Sequence, residues 1–268
     1  MGMRFVYPVV SRRAGGVSVG INLNPNHACN WQCVYCQVEG LQRGSAPVID
    51  VVQLEDEFRC MLSQICEGDF MQERVPEDCR RLCDVAISGN GEPTSCRDFS
   101  QVVEVLLRVM DDFSLRDVLP LRLITNGSYV HKSHVQAGLR LMAQHHGEVW
   151  AKVDAGSTEA IARINAVQLK PERLAQQVVT VASLCPTWVQ TCMFAWHGNA
   201  PSQQDVEDYV QLLKTIEQQQ KLEGVLLYGV ARPAMQEASQ HVSALPEAVM
   251  LTIQQQIEAA GLSVSLSM

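Results

Sequence analysis

Cys29-Asn30-Trp31-Gln32-Cys33-Val34-Tyr35-Cys36 follows the apolar run Val17–Leu23 (VSVGINL) and the breaker Pro25. The run is short, continuous and rich in β-branched residues, which reads as a buried strand that Pro25 ends. The loop after it presents three cysteines in a C-x3-C-x2-C spacing, with an aromatic residue just before the third. Thiolates are soft ligands suited to zinc and to iron–sulfur clusters. Closed structural sites of either kind normally take four cysteine or histidine ligands, and this loop offers three. A four-iron cubane held by three cysteines keeps one iron open to a small molecule.

Five further apolar runs repeat the pattern, and each ends in a cluster of turn or polar residues. Leu82–Ser88 leads into Gly89-Asn90-Gly91-Glu92-Pro93-Thr94, and Leu121–Ile124 into Thr125-Asn126-Gly127. Glu148–Val153 leads into Asp154-Ala155-Gly156, Thr187–Phe194 into Trp196-His197-Gly198-Asn199, and Val225–Val230 into Ala231-Arg232-Pro233. Helical periodicity fills the gaps at 50–66, at about 98–113 with Asp98 as a cap, and up to about His146. It continues at 157–165, 171–184, from a Ser202 cap to about Gln220, and from Pro246 to a Gly261 stop. Leu262–Leu266 reads as a short terminal strand. Strand–helix alternation of this kind gives an open doubly wound sheet or a partial (β/α)6 TIM-like barrel, and in both function gathers at the C-terminal strand ends. A single domain over 1–268 is expected, with an N-terminal lead-in at 1–16, the barrel over 17–260 and a terminal extension at 261–268.

The 21 Lys and Arg against 29 Asp and Glu leave a net charge of −8, without a basic run, which disfavours nucleic acid as a partner. No apolar stretch reaches the roughly 20 residues of a membrane helix, and no signal core precedes Arg12-Arg13, so a cytoplasmic location is expected. Seven cysteines lie outside the loop (Cys60, Cys66, Cys79, Cys83, Cys96, Cys185 and Cys192) and read as small core residues rather than a second cluster.

Cys29-x3-Cys33-x-Tyr35-Cys36 after the first strand, and Gly89-Asn90-Gly91-Glu92-Pro93 after the second, together resemble the signatures of the radical S-adenosylmethionine (radical SAM) superfamily. The resemblance implies a partial barrel carrying a [4Fe-4S] cluster on Cys29, Cys33 and Cys36 at the C-terminal strand ends. S-adenosylmethionine would take the open iron and be cleaved reductively to a 5′-deoxyadenosyl radical that abstracts hydrogen from a substrate. It also implies an external electron donor of flavodoxin or ferredoxin type. Gly89, Asn90 and Gly91 would admit the methionine moiety, Glu92 its ammonium, and Tyr35 the neighbourhood of the adenine. Thr125, Asn126 and Asp154 would meet ribose or carboxylate, with Asp154 alternatively a helix cap. His197 as a proton carrier and Arg232 as a carboxylate or phosphate partner, together with Asp154, are the candidate substrate-side catalytic residues.

Further segments resemble the wyosine-synthase-like group: Ser11-Arg12-Arg13, Gly20–Leu23, Ala151–Gly156, Arg163-Ile164-Asn165, Gln190-Thr191 and Tyr228–Pro233. That group suggests modification of a transfer-RNA base, and a Schiff-base role for Lys152 if it faces the site. A second enzymatic reading is an activase that makes a glycyl radical on a partner protein. A non-catalytic iron–sulfur carrier is the reading from another class, and it has no use for the Gly89–Thr94 loop.

Overall fold

A computed structural model describes residues 2–11 and 15–268; Arg12 and Arg13 lie outside the described residues. Eight strands form one sheet in strict sequence order. They are β1 (Val6–Ser11), β2 (Gly16–Ile21), β3 (Leu82–Ile87), β4 (Leu121–Thr125), β5 (Glu148–Lys152), β6 (Thr187–Met193), β7 (Gly224–Gly229) and β8 (Val264–Ser267). β1 pairs antiparallel with β2, and every later neighbour pairs parallel. A doubly wound sheet reverses its strand order at a switch point. This sheet never does, which is the partial-barrel outcome.

β2 to β7 are the six expected strands within a residue or two at each end. β8, expected as a short tail strand, is a parallel edge beside β7. β1 corrects the reading of 1–16 as a simple lead-in. Pro8 argues against a central strand, but it sits on the sheet's edge opposite Val19, where a missing ladder donor is tolerated.

The helices are α1 (Val51–Cys66), α2 (Phe70–Arg74), α3 (Phe99–Asp112), α4 (Ser133–Ala143), α5 (Thr158–Asn165), α6 (Pro171–Ala182), α7 (Gln203–Gln219) and α8 (Glu247–Ala259). Ser202 caps α7 in a reciprocal capping box with Asp205. Asp98 occupies the cap position of α3 but receives no side-chain hydrogen bond from the helix. Ser157, not Asp154, caps α5.

Two apolar clusters lie between sheet and helices. One joins β1 to β5 with α1, α3 and α4; the other joins β5 to β7 with α5 to α8. Both use the same alternate residues of each strand: Val85 and Ile87, Leu121 and Leu123, Val149 and Ala151, Val225 and Leu227. The opposite parity faces inward and is polar at both strand ends. The N-terminal layer is an ion cluster. Arg122 contacts Asp84, donates to Glu148 Oε1 at 2.5 Å and lies 5.0 Å from the Trp150 ring centre. The C-terminal layer carries Ser88, Lys152, Cys192 and Tyr228, which line a cavity of about 1140 Å³. Among the described residues, no helix is long and apolar enough to cross a membrane.

Gly156 sets the β5–α5 turn against α7. A Cβ at this position would stand 2.1 Å from the Asp208 backbone, which cannot rotate away. Gly156→Ala is expected to cost about 1–3 kcal/mol by overpacking. A lowered urea midpoint is the expected reading; an unchanged midpoint would mean that the turn can move off α7.

Candidate active site

The cysteine loop is tied to its surroundings on three sides. Toward the β2 side, Asn24 Nδ2 donates to Ala28 O at 2.8 Å, and Gly44 N donates to Cys29 O at 3.1 Å. Toward α5, Gln32 N donates to Asn165 O at 3.1 Å and Val34 N to Ile164 O at 2.9 Å. Beyond β7, Met235 N donates to Cys36 O at 2.9 Å, and Gln236 Nε2 donates to Val38 O at 2.8 Å. Trp31 is buried in the apolar cluster of β5–β7 and anchors the middle of the loop.

Two buried carboxylates flank the thiols. Asp154 takes the Tyr35 hydroxyl at 2.5 Å, the Asn165 amide at 2.8 Å and the Cys192 N–H at 3.0 Å, and lies 3.3 Å from Lys152 Nζ. The same Asn165 amide nitrogen is 3.3 Å from Cys33 Sγ. Glu92 takes Thr125 Oγ1 at 2.6 Å, Asn126 N at 2.7 Å and Thr94 N at 3.0 Å, with Thr94 Oγ1 also donating. Asn126 Nδ2 reaches Asn30 Oδ1 at 2.9 Å, so the β3 and β4 ends hold the loop as well.

Burial pushes the Cys29 and Cys33 thiols up to about 12, and the charges of Glu92 on Cys29 and of Asp154 on Cys33 add to it. Cys36 is raised by burial too. Neighbouring cysteines of the loop raise the Cys29 and Cys33 thiols a little further. Burial also raises the Glu92 carboxyl, against the hydrogen bonds from Asn126, Thr125 and Thr94.

No three His, Cys, Asp or Glu side chains among the described residues converge on a single ion. A cubane makes a different demand, because its three ligated irons sit at separate corners. The donor set fits it: Cys29 lies near Cys33 and Cys36 on one loop, with Cys36 on the cavity wall, while Cys192, also near Cys33, belongs to β6. Opposite them lies a glycine cradle. Gly89 has φ +141°, and a Cβ on Gly91 would stand 1.9 Å from Ala28 O. Side chains here would collide with Asn22 and with the Ala28 backbone, so the glycines let this turn pack against the start of the cysteine loop. Metal binding would displace the thiol protons.

Of the expected residues, Tyr35, Gly89, Asn90, Gly91 and Arg232 line the large cavity. Glu92, Thr125 and Asn126 are buried behind the cradle. Asp154 and His197 line a smaller, mainly apolar cavity of about 290 Å³ with Phe194 and Trp196. His197 is exposed, its ring tilted against His241 with centres 3.9 Å apart, and it lines the smaller cavity whereas Arg232 lines the larger. His27 Nδ1 is 2.8 Å from Glu39 O, as a loop residue.

Two cavity residues were not singled out from sequence for substrate contact, Cys192 and Tyr228, and Lys152, considered only as a Schiff-base lysine, does face the cavity. Lys152 Nζ donates to Tyr228 Oη at 2.8 Å and stands over the Tyr35 and Tyr228 rings. Burial pushes its ammonium toward deprotonation, but Asp154 foremost and then Tyr228 outweigh burial and raise its pKa. A lysine held protonated is a poor Schiff-base nucleophile. Their common signal is strand parity: Lys152 lies two residues before Asp154, and Tyr228 pairs with Cys192 across β6 and β7.

No family model matches the chain. A segment is 31% identical over 129 residues to UPF0026 protein MJ1312 of Methanocaldococcus jannaschii, covering 48% of this chain and 35% of that protein. Another match, to GTPase Obg of Brachyspira hyodysenteriae, is 24% identical over 132 residues and covers 49% of this chain and 17% of that protein. The chain therefore spans well under half of either relative. A radical SAM methyltransferase from Sphaerobacter thermophilus superposes with TM-score 0.65 at 10% identity, over 98% of this chain and 68% of its own. A spore photoproduct lyase variant gives 0.60 at 12%, over 98% and 80%. Streptococcus suis SuiB, solved with S-adenosylmethionine, gives 0.55 at 9%, over 95% and 48%. At such identities the likeness shows the fold: the chain has the partial-barrel architecture of these proteins.

Asp154→Ala would strand Lys152 and release Tyr35 and Asn165, and removing one partner of a buried ion pair costs about 3–5 kcal/mol. Limited proteolysis should then cut within residues 30–40 faster than in the parent chain. An unchanged cleavage rate would show that Asp154 does not hold the loop.

Proposed function

We propose that this chain is a radical SAM enzyme. The observation that carries the reading is three clustered thiols on one loop, opposite a glycine cradle, at the rim of an inward-facing cavity of about 1140 Å³ in a radical SAM fold. That volume exceeds an ordinary small-ligand pocket and leaves room for a cofactor and part of a substrate.

In this reading Cys29, Cys33 and Cys36 hold a [4Fe-4S] cluster. A bound cluster would supply the electron for reductive cleavage of S-adenosylmethionine to methionine and a 5′-deoxyadenosyl radical able to abstract hydrogen. The chain's own residues orient and shield. Gly89 and Gly91 let the backbone approach the methionine moiety, with Asn90 N held by Asn22 Oδ1 at 3.1 Å. Glu92 Oε2 accepts from Asn126 N and keeps a lone pair for an ammonium. Thr125 and Asn126 fix that carboxylate. Asp154, its oxygens already committed, acts as a positioning residue for Tyr35 and Cys33. The reaction needs a one-electron donor of flavodoxin or ferredoxin type.

What supports a grouping with the wyosine-synthase-like enzymes is that several segments bearing the resemblance meet at one place. Lys152 and Asp154, Asn165, and Tyr228 are joined by hydrogen bonds and an ion pair beside Cys33.

Anaerobic reconstitution with iron and sulfide should give a cluster-type visible absorbance that changes on adding S-adenosylmethionine. Reductant should then yield 5′-deoxyadenosine. Cys33→Ala should lose the iron. A fully loaded protein that neither responds to S-adenosylmethionine nor forms 5′-deoxyadenosine would sink the reading.

A further inference from the structure

The large cavity has two differently built halves. Ser88, the glycine cradle and Ile124 line the β3–β4 side; Lys152, Gln190, Tyr228 and Arg232 line the β5–β7 side. The first half suits the cofactor's amino-acid end, next to Glu92. The second is cationic. An ammonium has three donors, and those of Lys152 are only partly used, on Tyr228 at 2.8 Å and toward Asp154 at 3.3 Å. Asp154 belongs to the wall, since its oxygens also serve Tyr35, Asn165 and Cys192. Arg232 is exposed and makes no hydrogen bond or ion pair among the described residues. Glu39 is the one carboxylate among the cavity-lining residues, and no ion pair joins it to either cation. An unpaired guanidinium and a buried ammonium on one cavity wall are complementary to an anion.

We propose that Lys152, Tyr228 and Arg232 form an anion subsite, and that the substrate enters with a carboxylate or phosphate group bound there. The inference rests on the radical SAM reading for the assignment of the other half to the cofactor. The Lys152 ammonium and, through its hydroxyl, Tyr228 grip the anion deep in the cavity. Arg232 closes on it from the rim.

The test is calorimetry on the anaerobically reconstituted protein with S-adenosylhomocysteine present. Succinate and pyrophosphate serve as probes for the carboxylate and phosphate sources. At least one should bind saturably, more weakly as salt is raised. Lys152→Met and Arg232→Met should each weaken it by at least about tenfold, as expected for losing a charge-assisted hydrogen bond. Arg232 is exposed and unpartnered, so its variant reads binding even if Lys152→Met fails to fold. The proposal is overturned if neither probe binds, if Arg232→Met leaves binding unchanged, or if S-adenosylhomocysteine excludes the probe. It is also overturned if Lys152→Met weakens S-adenosylhomocysteine but not 5′-methylthioadenosine, because the lysine then meets the cofactor's own carboxylate. Binding is read without turnover. A protein that binds the anion but makes no 5′-deoxyadenosine refutes the radical reading alone, and one that cleaves the cofactor but ignores both anions refutes only the subsite.

Discussion

The Asp154 carboxylate accepts from the Tyr35 hydroxyl, the Asn165 amide and the Cys192 backbone while pairing with Lys152. Those partners come from the cysteine loop, the end of α5, β6 and β5. A buried carboxylate is tolerated only when its lone pairs are satisfied and its charge is paired. The requirement works in both directions: the four elements must meet for Asp154 to be buried, and a buried Asp154 fixes where they meet. Cys33 inherits its place from this arrangement, because the Asn165 amide that binds Asp154 also reaches its sulfur.

Glu92 does the equivalent on the other side of the loop. It joins the β3 loop to the end of β4 through Thr125 and Asn126, and Asn126 reaches on to Asn30. One carboxylate thus raises the Cys29 thiol and the other the Cys33 thiol. In the metal-free chain both effects keep sulfur protonated. A multivalent cationic centre reverses this logic, since it would neutralise thiolates and carboxylates together. A loop that binds such a centre would gain from the two flanking carboxylates, and without one its thiols stay protonated.

Most of the fold was legible because parallel strands covered by helices read as short apolar runs, and each run here ends in a turn cluster. The six expected strands fall where those runs lie. β1 escaped because Pro8 argues against a strand unless its edge position is known. The residues proposed for the cofactor side stand out for a similar reason: glycines and cysteines in fixed spacing suggest their chemistry in the sequence. Those proposed for the substrate side do not. His197, Arg232 and Asp154 follow strand ends in sequence, yet only Arg232 faces the large cavity. Which strand-end residue points inward depends on parity and on where the turn begins, and a shift of one residue exchanges the two faces. Cys192 and Tyr228 sit inside the strands on the inward parity, where an apolar run hides them, while Lys152 shares that parity with Asp154 and could be read from the sequence.

The inward face also shows where its charge is balanced. At the N-terminal strand ends, Arg122 pairs with both Asp84 and Glu148 and lies over Trp150, so that layer is closed on itself. At the C-terminal ends, Lys152 is shared with a carboxylate that already has three other partners, and Arg232 has none among the described residues. Lys152, the largely buried cation, is paired with Asp154, whereas Arg232 is exposed, so leaving its guanidinium without a protein partner costs the fold little. The imbalance lies at the end of the sheet where the cysteine loop, the glycine cradle and the cavity converge. Arg122 is matched by two carboxylates, whereas Lys152 and Arg232 keep donors on the cavity wall that a negatively charged ligand can take.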